Sequence, residues 1–231
     1  MARIGFIIGS GFSGEGALEG AEQRIIKTQY GNVFLYQKGK VVFLPRHGKG
    51  KNIPPHRVNH RANICALNLH GVEKIVGINS VGSLKESIKP GTIVAPSDYV
   101  HFSPPTFFDF ELRFIIPQLD QALIGEIAAA SKKTKIAVKK SGIYVQTRGP
   151  RLETKAEIKI ISKWGDIVGM TMASEATLAQ ELGIKYAAIC SVDNYANGIR
   201  EIKTQEFSKM RERNQPRLEK IMKEMARRNS A

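Results

Sequence analysis

Apolar residues fall along this chain in two alternating rhythms. Short β-branched runs bounded by Gly, Pro or Asn predict strands at Ile4 to Ile8, Val33 to Tyr36, Val41 to Leu44, Lys74 to Ile78, Thr92 to Ala95, Lys139 to Gln146, Ile167 to Met170 and Tyr186 to Val192. Longer stretches with apolar residues three and four apart predict helices over Asn59 to His70, Gln118 to Lys132, Lys155 to Trp164, Ser174 to Leu182 and Thr204 to Arg228. The last should break or kink near Pro216, which has no N–H to give the helix ladder. Thr154 with Glu157 has capping-box spacing, Ser174 before Glu175 marks another start, and Gly71, Gly165 and Gly183 stand where helical runs stop. Strands interleaved with helices, without repeats or low-complexity linkers, imply an α/β fold: a single domain over residues 1–231, with a central mixed β-sheet flanked by helices.

Composition narrows the class. At 231 residues and 42% apolar content the chain can bury a sizeable core, which excludes a disordered protein. Its two cysteines, Cys65 and Cys190, lack C-x-x-C spacing, so they read as small core residues of a cytoplasmic protein, not as a disulfide framework or a zinc site. No apolar run approaches the roughly 18 residues of a membrane span, and the start lacks a basic segment followed by an apolar one. Neither secretion nor a membrane partner is expected.

Charge adds one complication. The net charge is +14, and no Asp or Glu occurs from Gln23 to Val72, where Arg24, Lys27, Lys38, Lys40, Arg46, Lys49, Lys51, Arg57 and Arg61 are joined by four histidines. An anionic partner follows from this, and a nucleic-acid-binding protein is the alternative from a different class. Zinc-finger spacing and aromatic RNA-binding motifs are missing from the sequence. His56, His60 and His70 lie in the basic stretch without ligand spacing, so no metal site is expected.

Candidate chemistry begins at Gly9-Ser10-Gly11-Phe12-Ser13-Gly14, which has the G-x-G-x-x-G spacing of a dinucleotide fingerprint. Such a loop should pass into a helix and be followed, roughly 20 residues on, by an acid for the ribose. Here two more glycines, Gly16 and Gly20, follow instead, and the acid-free stretch covers the region of the ribose acid. No nicotinamide or flavin cofactor is therefore expected. The loop can still offer backbone N–H groups and the Ser10 hydroxyl to one phosphate, or be a tight turn. Other strand ends carry similar chemistry: Arg46 with a guanidinium fork, His47 beside it, the small-residue turn at Asn79-Ser80, and the Thr171 hydroxyl.

Seven strings occur in order along the chain: FIIGSG, PRHGKGKNIPPHRVNHRAN, INSVGSL, KPGTIVAPSDYV, TRGPRLET, VGMTMASEATLAQELGIKYA and SVDNYANGI. Together they resemble the trimeric purine nucleoside phosphorylase and methylthioadenosine phosphorylase family over nearly the whole chain, least over Pro104 to Lys135. The resemblance implies phosphorolysis, in which inorganic phosphate attacks C1′ of a purine nucleoside. Inorganic phosphate is then a co-substrate, and no other cofactor or metal is implied. By position, Ser10, Arg46, His47, Asn79, Ser80 and Thr171 match the family's phosphate ligands, and Met170 matches the residue against the ribose. The resemblance further implies a homotrimer, with a neighbour completing the 5′ side of the site near SPPTFFDF.

Two matched positions bear on the base. Glu153 stands where 6-oxopurine enzymes of the family carry glutamate, and Asn194 where they carry asparagine; Tyr195 and Ala196 follow in the same segment. A 6-oxopurine presents an N1–H donor and an O6 acceptor, which suit a carboxylate and an amide NH2, whereas adenine reverses both. Glu153 also reads as a helix-start acid near Thr154. Phe207 stands where general purine nucleoside phosphorylases carry histidine and methylthioadenosine phosphorylases an apolar residue. It is equally a first core contact on a stripe with Met210, Leu218, Ile221 and Met225. The combination points to 5′-methylthioinosine, with inosine or guanosine and methylthioadenosine as alternatives. A nucleoside hydrolase would need an aspartate cluster around calcium, which the sequence lacks. Asp193 has two readings, acting on the base through water or bracing its loop.

Overall fold

The computed structural model describes residues 3–9, 18–50, 52–200 and 204–230, without the side chains of 204–206 and 230. Among them eleven strands form one mixed sheet. β1 (Arg3–Ile8) is almost wholly buried and apolar, as a central parallel strand must be, and lies parallel to β4 (Val41–Pro45) and β5 (Val72–Ser83). Beyond β4, β3 (Gly31–Lys38) and β2 (Glu22–Thr28) add an antiparallel ribbon. β11 (Lys185–Tyr195) runs parallel along the other flank of β5, followed by β6 (Ile93–Val94) and β8 (Val138–Lys139). The end of β5 also takes β10 (Ile167–Gly169) as an antiparallel partner, continued by β9 (Ile143–Gln146) and β7 (Asp98–Val100).

This branching creates the opening that matters. β11 occupies one flank of β5 from Lys74 to Ser83. On the other flank β1 stays in register only as far as Ile8 opposite Ile78, and pairing with β10 starts only at Gly82, opposite Val168. Asn79, Ser80 and Val81 sit between, where that flank of β5 has neither partner. A split of this kind at the carboxyl ends of parallel strands is where α/β sheets collect ligands.

Five helices cover the sheet among the described residues: α1 (His60–Leu69), α2 (Gln121–Thr134), α3 (Lys155–Ile161), α4 (Met172–Glu181) and α5 (Thr204–Ser230). α1 packs on α4, and α2 with α5 on β11. The Asp120 side chain caps α2 by accepting from the Leu123 amide at 2.7 Å, and Thr154 and Glu157 form the predicted capping box on α3. Gly71 and Gly183 turn the chain at φ +74° and +71°. Gly165 has a different role, because a Cβ there would lie 2.4 Å from Val145 Cγ2.

The structure departs from sequence expectation in identifiable ways. β5 continues through the segment predicted to be a turn, because β11 pairs with it to Ser83. The Lys139 to Gln146 run splits into β8 and β9 around Gly142 at φ +135°. β2 and β7 carry no alternating apolar pattern and exist through their partners. α4 starts at Met172, ahead of Ser174, since β9 supplies the acceptors: Tyr144 Oη receives the Thr171 and Met172 amides, and Gln146 Oε1 receives that of Ser174. α5 passes Pro216 as one helix, with Leu218, Ile221, Met222 and Met225 buried in the main core beyond it. Cys190 is buried and Cys65 half-buried, both free. No helix of the described residues is long and apolar enough to cross a membrane.

Candidate active site

A cleft of about 230 Å³ opens at the split in the sheet. Arg46, His47, Asn79, Ser80, Glu153, Met170, Thr171, Asn194, Ala196 and Phe207, all singled out from sequence, line it. Tyr195 does not: its hydroxyl reaches the Glu86 carbonyl at 3.3 Å and its ring lies under Arg200. Strand alternation explains this, since neighbours on β11 point to opposite faces. Ser10, with the rest of the fingerprint through Gly14, lies outside the described residues.

One group of side chains is built around Arg46. This residue directly follows β4 and is only 2% exposed. Its Nε and one NH2 hydrogen go to the two carboxylate oxygens of Glu175, the latter at 3.0 Å. A second NH2 hydrogen reaches Asn79 Oδ1 at 3.4 Å, and NH1 donates to the Ile78 carbonyl at 2.8 Å. Those four bonds leave one N–H, on NH1, from a guanidinium that carries five. The forked edge therefore faces Glu175 and not the cleft, because a cation this deeply buried requires an anion beside it. Burial lowers the Arg46 pKa and Glu175 more than offsets it, so the guanidinium is held above its ordinary value.

Neighbouring groups extend this arrangement. Asn79 Nδ2 donates to Thr171 Oγ1 at 3.2 Å, which leaves the Thr171 hydroxyl proton for an acceptor in the cleft. Thr171 precedes α4, so an anion at this position would also meet the positive end of a helix. His47 Nδ1 lies 2.7 Å from the Ile53 carbonyl, which selects the tautomer with the proton on Nδ1. Burial, then the Arg46 charge, pushes its pKa below the ordinary imidazole value, so the ring is neutral near pH 7.

A second group surrounds Glu153. Thr147 donates its hydroxyl to Glu153 Oε1 at 2.5 Å, and Asn197 Nδ2 holds the Glu153 carbonyl at 3.0 Å. Asn194 gives one amide hydrogen to the Tyr195 carbonyl at 2.7 Å and keeps another. Gly82 makes room here, for a Cβ on it would meet Val168 Cγ1 at 3.3 Å and Asn194 Nδ2 at 3.5 Å. The TRGPRLET turn closes on Met170: Gly149 has φ +66°, and a Cβ there would lie 2.4 Å from the Met170 sulfur.

The third group lies on α5. Phe207 lines the cleft and is absent from the core cluster that holds Leu218, Ile221 and Met225, so the predicted stripe divides between cleft and core. Arg211, one turn on, sits 5.4 Å from the Phe207 ring centre and also lines the cleft. No motif in the sequence marks Arg211, and Glu175 reads there only as a helix-start cue.

The two readings of Asp193 separate here. It is buried, does not line the cleft, and accepts from the hydroxyls of Ser80 and Ser191 and from Asn214 Nδ2 at 3.3 Å. It braces β5, β11 and α5 together. Burial raises its pKa against the opposing pull of those hydrogen bonds. The Ser80 hydroxyl proton is thereby committed to Asp193.

Comparison with known proteins places the fold. Residues 3–227 match the phosphorylase superfamily. A protein of Archaeoglobus fulgidus named probable 6-oxopurine nucleoside phosphorylase is 42% identical over 204 residues, covering 85% of this chain and 84% of its own. One of Methanocaldococcus jannaschii named probable S-methyl-5′-thioinosine phosphorylase is 43% identical over 205 residues, covering 85% and 80%. Among solved structures, a point mutant of the adenosine/methylthioadenosine phosphorylase of Schistosoma mansoni, in complex with methylthioadenosine, superposes with a TM-score of 0.86 at 26% identity, covering 97% of this chain and 90% of that one. A cleft at the branch of a mixed sheet, a fold shared over almost the full length and a family match over residues 3–227 give one answer: this chain belongs to the phosphorylase superfamily.

Proposed function

We propose that the protein catalyses reversible phosphorolysis of a 6-oxopurine nucleoside, with 5′-methylthioinosine as the preferred substrate, giving hypoxanthine and 5-methylthioribose 1-phosphate. The observation that carries this reading is the meeting in one cleft of an oxyanion group, Arg46, His47, Asn79 and Thr171, with a base group, Glu153 and Asn194. Phosphate bound at the first would approach C1′ as the bond to N9 breaks, and its charge would stabilise the oxocarbenium-like sugar. The bond's electron pair leaves with the purine. Asn194 would donate to O6 and Glu153 would accept from N1–H, sharing the charge that develops on the base. Met170 would pack on the ribose, and Phe207 would receive the 5′ substituent.

Solved relatives include methylthioadenosine phosphorylases, so a 6-aminopurine is the competing substrate. The carboxylate of Glu153 opposes it, since adenine N1 is a bare acceptor and would face another acceptor. Such a mismatch costs about 1 to 3 kcal/mol for each unsatisfied group. Relatives named for 6-oxopurines and for methylthioinosine at about 40% identity support the same choice.

The assembly we propose is a homotrimer. Phe110, Leu112, Phe114 and Ile116 are 100%, 91%, 85% and 90% exposed on one chain, and a second copy would cover them. The free cysteines suit a cytoplasmic setting. The deciding experiment is release of free base from methylthioinosine, inosine, guanosine and methylthioadenosine, each with and without phosphate. Phosphate-dependent release that is fastest with methylthioinosine is expected. Release independent of phosphate would refute phosphorolysis, and preference for methylthioadenosine would refute the base assignment.

A further inference from the structure

Behind the oxyanion side of the cleft, outside its lining, stands a buried carboxylate. Glu175 is 0% exposed, and both of its carboxylate oxygens are bound to Arg46. Tyr186, buried on β11, adds its hydroxyl to Glu175 Oε2 at 2.8 Å. On the far side of Arg46 the chain of donors continues through Asn79 to the Thr171 hydroxyl. Gly9, at the end of β1, leaves room for the guanidinium: a Cβ there would lie 2.2 Å from NH1 and 2.9 Å from the Ile78 carbonyl. Each bond in this row has a direction: Tyr186 and Arg46 point hydrogens at Glu175, Arg46 also donates to Asn79 and Asn79 to Thr171, and the Thr171 hydroxyl proton is left for an acceptor in the cleft.

We infer that Glu175, seated by Tyr186, is a positioning residue that neutralises Arg46 and turns its fork away from the cleft, so that phosphate is held by single hydrogen bonds and not by a free cation. This rests on the reading of the cleft as a phosphate site. A free guanidinium fork would grip phosphate bidentately in the ground state. Grip that is equal in ground and transition states does not raise kcat, and a fork aimed elsewhere would draw the nucleophile out of line with C1′. The buried pair thus exchanges phosphate affinity for alignment.

The test is the titration of inorganic phosphate into the full-length protein by calorimetry, without nucleoside, alongside steady-state kinetics. For Glu175→Gln, the dissociation constant for phosphate should fall about tenfold, because phosphate becomes the missing counterion of Arg46. Its kcat should fall at least tenfold while KM for the nucleoside changes less than about threefold. Tyr186→Phe keeps the shape of the core and should move both quantities the same way by about two- to threefold, so it carries the test where Glu175→Gln does not fold. Weaker or unchanged phosphate binding in the folded variants would overturn the inference while leaving phosphate-dependent base release by the unaltered protein, and hence phosphorolysis, intact. Base release independent of phosphate would overturn both.

Discussion

Replacing Glu153 by Gln changes one atom of the site and reverses its hydrogen-bond character. In the structure Oε1 receives the Thr147 hydroxyl, which leaves Oε2 for the base. Thr147 continues to donate after the substitution, so the amide oxygen stays at Oε1 and the NH2 group takes the place of Oε2. A 6-oxopurine then loses a hydrogen bond to a charged acceptor, worth about 1.5 to 3 kcal/mol, and its N1–H meets another donor. At 1.4 kcal/mol for each factor of ten, kcat/KM for methylthioinosine or inosine should fall about 10- to 140-fold. Methylthioadenosine loses its acceptor–acceptor mismatch and gains a donor to N1, so its kcat/KM should rise about tenfold or more. The assay follows hypoxanthine and adenine release at fixed phosphate, and the ratio of the two specificity constants removes any common loss from misfolding. A ratio within threefold of the original, with thermal stability reduced, would show that Glu153 acts on the start of α3 and not on the base.

Three other outcomes follow from the same geometry. Phe207→His should raise kcat/KM for inosine relative to methylthioinosine by about tenfold in phosphate-dependent base release, since a 5′-hydroxyl gains a partner and a methylthio group loses an apolar one. Burial holds the His60 imidazole at about 4, among Glu175, Arg46, His101 and His47, and its Nδ1 is buried without a hydrogen-bond partner among the described residues. With its folded value below the unfolded 6.5, the contribution of neutral His60 is fully present above that pH and lost as pH falls from about 6.5 toward 4. The slope is at most about 1.4 kcal/mol per pH unit. Denaturant titrations of His60→Gln should show a correspondingly smaller difference between pH 7 and pH 4.5. Changing Phe110, Leu112, Phe114 and Ile116 together to Ser should convert the assembly to monomers by light scattering; a trimer that survives would place the interface elsewhere.

Much of the fold was legible because local pattern and global arrangement agree. The apolar β-branched runs at Ile4 to Ile8, Val41 to Leu44 and Tyr186 to Val192 need burial on both faces, and the capping box at Thr154 marks its helix without help from anything distant. The residue types of the site were also readable, since Arg46, His47, Asn79, Ser80 and Thr171 carry groups fitted to an oxyanion, and Glu153 and Asn194 groups fitted to a purine edge.

Direction was not legible. Whether the Arg46 fork meets phosphate or Glu175 depends on a contact between residues 129 apart in the chain, and the commitment of Ser80 to Asp193 on one 113 apart. β5 runs through its glycine and serine because β11 supplies the ladder, and α4 starts at Met172 because Tyr144 and Gln146 on β9 accept its first amides. Sequence by itself determined which chemical groups the strands deliver to one edge of the sheet. Tertiary structure decided which of their donors are already spent, because a buried cation or hydroxyl must find its partner in space, and those partners come from other strands and helices.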